Sequence, residues 1–245
     1  MKVKKIINPY CLLVVILIAI VAGIILLLGY FGLIPSVSKM LKTDRPRDLG
    51  ISVTDEARKY NLEVIGEWNK YTTEGKDTEV QYLGEVQRDI TLTSEQLTTL
   101  ANEVDWKYDP ISDLQIRLGE DGTIEGSGLL HVDKIKDFIV KNGVSTEEVD
   151  KVIKKFGLDG KTFPFYVQLS LSANENEITW EAQKVEIGRL NITISSIEPY
   201  KDSLDSLIQN RLEQIPNLYI NKIEIKDGKV NFVGKTPEYQ MVHKD

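Results

Sequence analysis

An unbroken apolar stretch near the start of the chain constrains the rest most. It begins at Cys11 and ends at Ile34, inside a window from residue 6 to residue 38 that holds no charged side chain. A helix rises ~1.5 Å per residue and about 20 residues cross a bilayer core, so the stretch is long enough to span one with some tilt. Within lipid only a helix satisfies such a segment's backbone when no barrel-forming strands lie beside it. The stretch is apolar on all sides, unlike a core helix with a polar stripe. A secretory signal peptide is the competing reading. The basic start, Lys2, Lys4 and Lys5, suits it. The apolar run is longer than the ~7–15 residues of a signal core, however, and Ser36-Val37-Ser38 is a weak cleavage site. An uncleaved anchor is therefore expected over residues 10–34, after a basic cytoplasmic end at residues 1–9. Cations flank the span on both sides, with Lys39, Lys42, Arg45 and Arg47 following it. A short basic N-terminus inside and a long translocated domain outside is the favoured orientation.

The formal charge is −7, and residues 1–38 hold three lysines and no acid, so the remainder carries −10. Such a balance argues against nucleic-acid binding and against broad electrostatic adhesion to anionic lipid. The single cysteine is Cys11, which excludes an intrachain disulfide and a Cys-rich metal site. With two histidines, His131 and His243, no His-based metal cluster is expected.

After a polar linker at residues 35–53, an α+β domain is expected over residues 54–237, with a polar tail at residues 238–245. Thr54 or Ser52 caps a helix whose face carries Ala57, Tyr60, Val64, Ile65 and Trp68. A loop follows Thr72. Val80, Tyr82, Val86, Ile90 and Leu92 then alternate as one long strand, bent at Gly84. Thr93 or Ser94 caps a helix with Leu97, Leu100, Ala101 and Val104 inward. Glu120-Asp121-Gly122 turns a hairpin. Helices are expected over residues 132–141 and 146–156. A second hairpin has Phe163, Phe165, Val167, Leu169 and Leu171 on one face, turns at Asn174-Glu175-Asn176, and returns through Ile178, Trp180 and Ala182. A phase shift to Val185 and Ile187 predicts a bulge near Gln183-Lys184. A helix over residues 199–214 presents Leu204, Leu207, Ile208, Arg211, Leu212 and Ile215. The last hairpin turns at Asp227-Gly228.

An internal echo joins the two Asp-Gly hairpins. Asp121 and Asp227 lie 106 apart, as do Gly122 and Gly228, Ile124 and Val230, and Gly128 and Gly234. Duplication of a helix-on-hairpin unit, with halves at 79–131 and 163–235, is one explanation. The other is that Asp-Gly hairpins share a pattern.

Chemistry is sparse. Gly126-Ser127-Gly128 lacks nucleophile-elbow spacing, since residue 125 is Glu; its glycines suit close backbone approach. His131 has no partner in sequence and reads as a surface residue. Asp105, Asp109 and Asp113 are split by Pro110 and read as a solvated loop. Asn191-Ile192-Thr193 fits a glycosylation acceptor. No catalytic residue, metal ligand or cofactor is assigned, and an enzyme is not expected.

Val185-Glu-Ile-Gly-Arg-Leu-Asn191, an amphipathic helix, Ile215-Pro-Asn-Leu-Tyr-Ile220 and Ile223-Glu-Ile-Lys-Asp-Gly-Lys-Val-Asn-Phe-Val-Gly-Lys-Thr-Pro237 follow in order. This stretch resembles the end of bacterial envelope domains of the tubular lipid-binding (TULIP-like) type. The likeness begins at Phe163 and ends at Pro237. It implies a curved antiparallel sheet wrapped on amphipathic helices and an acyl-chain ligand. The apolar groove would be lined by Val167, Leu169, Leu171, Ile178, Trp180, Leu204, Ile208 and Leu212. The expected function is a membrane-anchored, extracytoplasmic domain that binds lipid or another apolar envelope molecule, in lipid transfer or envelope maintenance. The alternative is a protein-interaction or scaffolding ectodomain, whose partner the sequence does not name.

Overall fold

The structure, a computed structural model, describes residues 9–32, 34–73, 80–103, 109–141, 147, 150 and 162–243. It is α+β, with a curled antiparallel half-barrel sheet, a small second sheet and several helices. Apart from Glu147 and Asp150, the helix expected over residues 146–156 lies outside the described residues, as do Val104, Asp105 and most of the loop after Thr72.

Helix α1 (Pro9–Tyr30) has 22 residues and no charge. Its side chains are described from residue 19 onward, and among the described residues no helix is long and apolar enough to cross a membrane. It stops short of Ile34 because Gly32 takes φ +84, a conformation that costs glycine little. Helix α2 (Pro35–Leu41) folds back on it. Val37 occupies the space that a Cβ on Gly29 would need. Ser38 Oγ (2.6 Å) and Thr43 Oγ1 (3.1 Å) both donate to the Gly29 carbonyl.

Helix α3 (Asp55–Val64) begins where expected, with the Thr54 side chain accepting from Ala57 N. Strand β1 (Asn69–Thr72) follows. The single long strand expected through Gly84 is instead two, β2 (Val80–Leu83) and β3 (Val86–Thr93), in different sheets. Gly84 has φ +75, and a Cβ there would lie 2.7 Å from that of Glu238. The chain thus turns a corner at Gly84 where a simple bend was expected. The expected polar tail is also a strand. β11 (Tyr239–His243) runs parallel to β1 and antiparallel to β2, completing the small sheet with Val242 fully buried. Its one-in-two alternation is short and carries polar Gln240 and His243, which disguises it.

The large sheet has the order β3-β10-β9-β6-β5-β4. Its members are β4 (Ile111–Leu118), β5 (Thr123–His131), β6 (Thr162–Asn174), β9 (Tyr219–Lys226) and β10 (Lys229–Thr236). β6 also pairs along its other edge with β7 (Glu177–Ile187), and β7 pairs with β8 (Leu190–Ile192). β6 meets β5 through residues 162–170 and passes to β9 at Ala173 and Asn174. The predicted bulge is present: Gln168 faces Lys184 and Leu169 faces Ala182, leaving Gln183 as the extra residue. Gly122 (φ +84) closes a three-residue turn, whereas Asp227 and Gly228 both have positive φ, the requirement of a type I′ hairpin.

Helix α4 (Ser94–Asn102) joins β3 to the opposite edge of the sheet. A capping box starts it, with Thr93 and Gln96 each satisfying the other's backbone N–H. Its fully buried positions are Ser94, Thr98 and Thr99, while Leu97, Leu100 and Ala101 are half-buried. The reason is a ladder to edge strand β4. Leu118 N donates to Ser94 Oγ (3.0 Å). Thr98 Oγ1 donates to Ile116 O (3.2 Å) and accepts from Ile116 N (2.8 Å). Asn102 Nδ2 donates to Leu114 O (2.7 Å), and Asn102 Oδ1 accepts from Leu114 N (3.2 Å). Four helical residues rise ~6 Å and two strand residues ~6.6 Å, so side chains at every fourth position meet every second residue of the strand. The helix thus covers what would otherwise be an open sheet edge.

Helix α5 (Val132–Lys141) packs Val132 and Ile135 against Phe163 and Ile187. Two 3-10 turns (Ile194–Ser196 and Glu198–Tyr200) lead into helix α6 (Lys201–Glu213).

Candidate functional site

Cross-strand register places the apolar residues of the large sheet on one face. Leu92, Val230 and Ile225 form one row; Ile90, Phe232, Ile223, Ala173 and Ile178 form the next. Leu171 stands opposite Trp180. Leu118, Ile124, Leu169 and Ala182 follow, then Ile116, Gly126, Val167, Val185 and Ile192. Phe165 and Ile187 complete the face toward Phe163. Residues directly opposite in a ladder share a face, so the alternation of each strand is what builds this surface.

Burial along the face is uneven. Leu92, Ala173 and Ile225 are buried toward one end and Phe163, against Val132, toward the other, while Leu118 is buried in the row of Leu169. Between them Val167, Leu169, Leu171, Ile178, Trp180, Ala182 and Val185 are all half-buried. Ile90, Ile223, Val230, Phe232, Phe165 and Ile187 are half-buried as well, so among the described residues the curled apolar face is a trough incompletely covered along most of its length. The five strand residues expected to line a groove are therefore brought together. The three expected helix residues lie on α6, where Ile208 and Leu212 are half-buried and Leu204 is 36% exposed. What ties α6 to the trough is polar. Trp180 Nε1 donates to Asp205 Oδ1 (2.6 Å), and Lys201 Nζ lies 2.9 Å from Asp205 Oδ2 and 4.8 Å from the Trp180 ring centroid. The Lys201 hydrogen bond, then the Trp180 one, holds the Asp205 carboxyl below its usual range.

The glycines opposite the trough's strands fit their expected role. A Cβ on Gly128 would lie 3.0 Å from Ser112 O and from Phe165 Cε1. Ser127 is fully buried and donates to Phe165 O (3.2 Å), a structural role. His131 is half-buried, with Nε2 2.9 Å from Ser112 Oγ and Nδ1 3.2 Å from Thr162 Oγ1. It is thus bracketed by two neighbouring strands and is not a free surface residue. Asp109 accepts from Ile111 N, and burial raises its pKa.

The reverse face of the sheet is polar, and the sequence reading missed what covers it. Residues 45–49, expected as exposed linker, lie across it. Leu49 is buried and its N–H donates to Gln115 Oε1 (2.8 Å). Arg47 donates to both oxygens of Glu186 (2.9 and 2.7 Å), and its guanidinium sits 4.1 Å above the Tyr166 ring. Tyr166 donates to Glu125 Oε2 (2.8 Å), which Arg117 also holds. Burial, and next the Glu125 bond, pushes the Tyr166 phenol up to about 12. Arg47 and Glu186 lie 139 positions apart, so no local pattern announces the pair.

Among the described residues no three His, Cys, Asp or Glu gather to hold a metal ion. The chain matches no protein-family model, no curated protein and no solved structure.

Proposed function

We propose that this chain is a single-span protein of the plasma membrane. Its N-terminus is cytoplasmic, and its extracytoplasmic α+β domain takes up the acyl chain of a lipid, or another apolar envelope molecule, in the trough of the curled sheet. The observation that carries the proposal is the half-buried apolar face of the curled sheet, which includes Val167, Leu169, Leu171, Ile178 and Trp180. A core packed for stability alone buries such residues more completely, while ligand sites are concave, apolar and carry a few polar groups. From Phe163 to Ala173 β6 advances ten steps, roughly 33 Å at ~3.3 Å each, ample length for one acyl chain. The resemblance to TULIP-like envelope domains points to the same ligand class. For the anchor, the support is the sequence, an uncharged stretch from Cys11 to Ile34 where about 20 residues suffice to cross a bilayer core. No catalysis is part of this proposal.

The experiment is native mass spectrometry with lipid extraction on the full chain in mild detergent, beside Leu169→Trp. Bound lipid in the parent, and less of it in a variant that stays folded, is the expected result, because filling a void costs little whereas overpacking a dense core costs ~1–3 kcal/mol. A clear fall in Tm with no lipid in either protein would instead mark the face as ordinary core.

The interaction-domain reading has one observation of its own. β8 pairs only with residues 185–187 of β7, so among the described residues the outer edge of β7 is unpaired over residues 177–184. An open edge of that length can accept a partner's strand.

A further inference from the structure

The apolar helix does not hang from the domain on a loose tether; it is built into the domain's foot. Gly32 lies two residues beyond the end of α1, and a Cβ there would lie 3.6 Å from both Gly188 Cα and Phe163 Cδ1. A Cβ on Gly188 would lie 2.7 Å from the Phe31 carbonyl oxygen. Arg189, in the turn between β7 and β8, donates to Arg45 O (2.9 Å), and Arg47 clasps Glu186 two residues before that turn. Val37, Ser38 and Thr43 lock α2 onto Gly29. The Phe163 end of the trough therefore sits at the end of α1.

The same foot exposes apolar side chains beside cations. Met40 is 67% exposed, Tyr30 50% and Leu190 39%, with Leu41 next to Met40. Lys39, Lys42 and Arg45 are exposed among them, and Asp44 and Asp48 are the neighbouring acids. Buried bonds hold α2, so its exposed apolar residues are not an unfolded segment awaiting a core.

We propose that this foot, α2 with the β7–β8 turn, is an interfacial collar. It rests in the anionic headgroup layer of the bilayer that α1 enters and holds the Phe163 end of the trough at the membrane surface. The proposal rests on the anchoring reading above. Apolar side chains interleaved with lysine and arginine suit the boundary between headgroups and acyl chains. Cations immediately after a span are drawn to anionic lipid within a Debye length. The −10 carried by residues 39–245 repels the rest of the domain from the same surface, so the local basic patch fixes orientation and does not act as a general adhesive.

The test uses the full chain with Cys11→Ser, reconstituted in vesicles of phosphatidylcholine with or without phosphatidylglycerol. An environment-sensitive probe is placed by Met40→Cys or, as a distal control, by Glu175→Cys at the far end of β6. Lipids spin-labelled just below the headgroup report contact. The expected result is a blue-shifted, quenched probe at position 40, more so with phosphatidylglycerol, and an unaffected probe at position 175. Lys39→Glu with Lys42→Glu should erase the phosphatidylglycerol increment. A position-40 probe that behaves like the control overturns the collar. One that is blue-shifted but unquenched also overturns it, since a protein surface is then the partner. Quenching indifferent to phosphatidylglycerol overturns the anionic preference. Carbonate washing of the same vesicles separates the two ideas: release of the chain defeats the anchor itself, whereas retention with an unquenched probe defeats the collar alone.

Discussion

Helices α4 and α6 each lead into an Asp-Gly hairpin, and they are attached in opposite ways. α4 spends the hydroxyls of buried Ser94 and Thr98 and the amide of exposed Asn102 on the backbone of β4. α6 meets the sheet through Trp180, Asp205 and Lys201, with Leu204 left 36% exposed. Backbone groups at a sheet edge need partners in any conformation that excludes water, so α4 cannot leave without exposing them. The bonds that tie α6 to the sheet join side chains, so none of the sheet's backbone groups depends on them. One helix completes a sheet edge, and the other is held by a single indole.

The strongest way to break this comparison is Thr98→Val. The substitution keeps shape, removes a hydroxyl that both donates to and accepts from Ile116, and strands two partly buried backbone groups at ~1–3 kcal/mol each. A loss of about 3 kcal/mol is expected, lowering Tm by roughly 6–12 °C for a chain of this size. Calorimetry of the detergent-solubilised chain reads it. An unchanged Tm would mean that α4 is no more essential than α6.

The hairpins that follow the helices extend the comparison. Their tips abut: a Cβ on Gly122 would lie 3.5 Å from Ile225 O, and one on Gly228 3.7 Å from Leu118 O. There is room for a side chain at position 228, so Gly228→Val should fail through its positive φ alone, at roughly 1–2 kcal/mol. Its Tm should fall, but by less than that of Thr98→Val.

A smaller effect distinguishes the two faces of the sheet. The Tyr166 phenol is raised from 10.0 to about 12. The native state therefore holds this proton where the unfolded chain has lost it. The stabilisation is complete below about pH 10 and is lost as pH rises toward 12. Tyr166→Phe should flatten that alkaline limb in pH-dependent unfolding. A limb of unchanged slope would show that burial and Glu125 do not hold the phenol as described.

These contrasts also show what was readable from sequence. Turn chemistry was legible, because Asn176, Gly122 and Gly228 are needed locally for positive φ. So was the Gln183 bulge, because a phase shift in alternation has one geometric meaning. Apolar strand residues of the trough were legible for the same reason. The α4 ladder was not: helical periodicity points to Leu97, Leu100 and Ala101, while the decisive contacts belong to Ser94, Thr98 and Asn102, residues that usually mark solvent. Nor could the corner at Gly84 be distinguished from a bend, since sheet membership depends on Glu238, over 150 positions later in the chain. Arg47 reads as linker charge until Glu186 and Tyr166 are beside it.

The finest effect falls on α6. Asp205→Asn removes the charge that pairs with Lys201 and weakens the bond to the Trp180 indole, yet leaves no buried backbone group unpaired. Tm should not change measurably, in contrast to Thr98→Val. Trp180 emission, read with Trp68 and Trp106 replaced by Phe, should shift to the red as the ring gains water. In the parent the same signal gives a pH test with a definite sign. The Asp205 carboxyl is held below its ordinary 3.8, so its contacts persist at and above that value and are lost only as pH falls through the lowered one. The red shift should accordingly appear below pH 3.8 in the parent and at all pH values in the variant. A lipid-loaded parent should resist it, since an occupant of the trough shields Trp180 whether or not α6 is pinned. If Asp205→Asn instead lowers Tm as far as Thr98→Val does, α6 is a structural wall like α4.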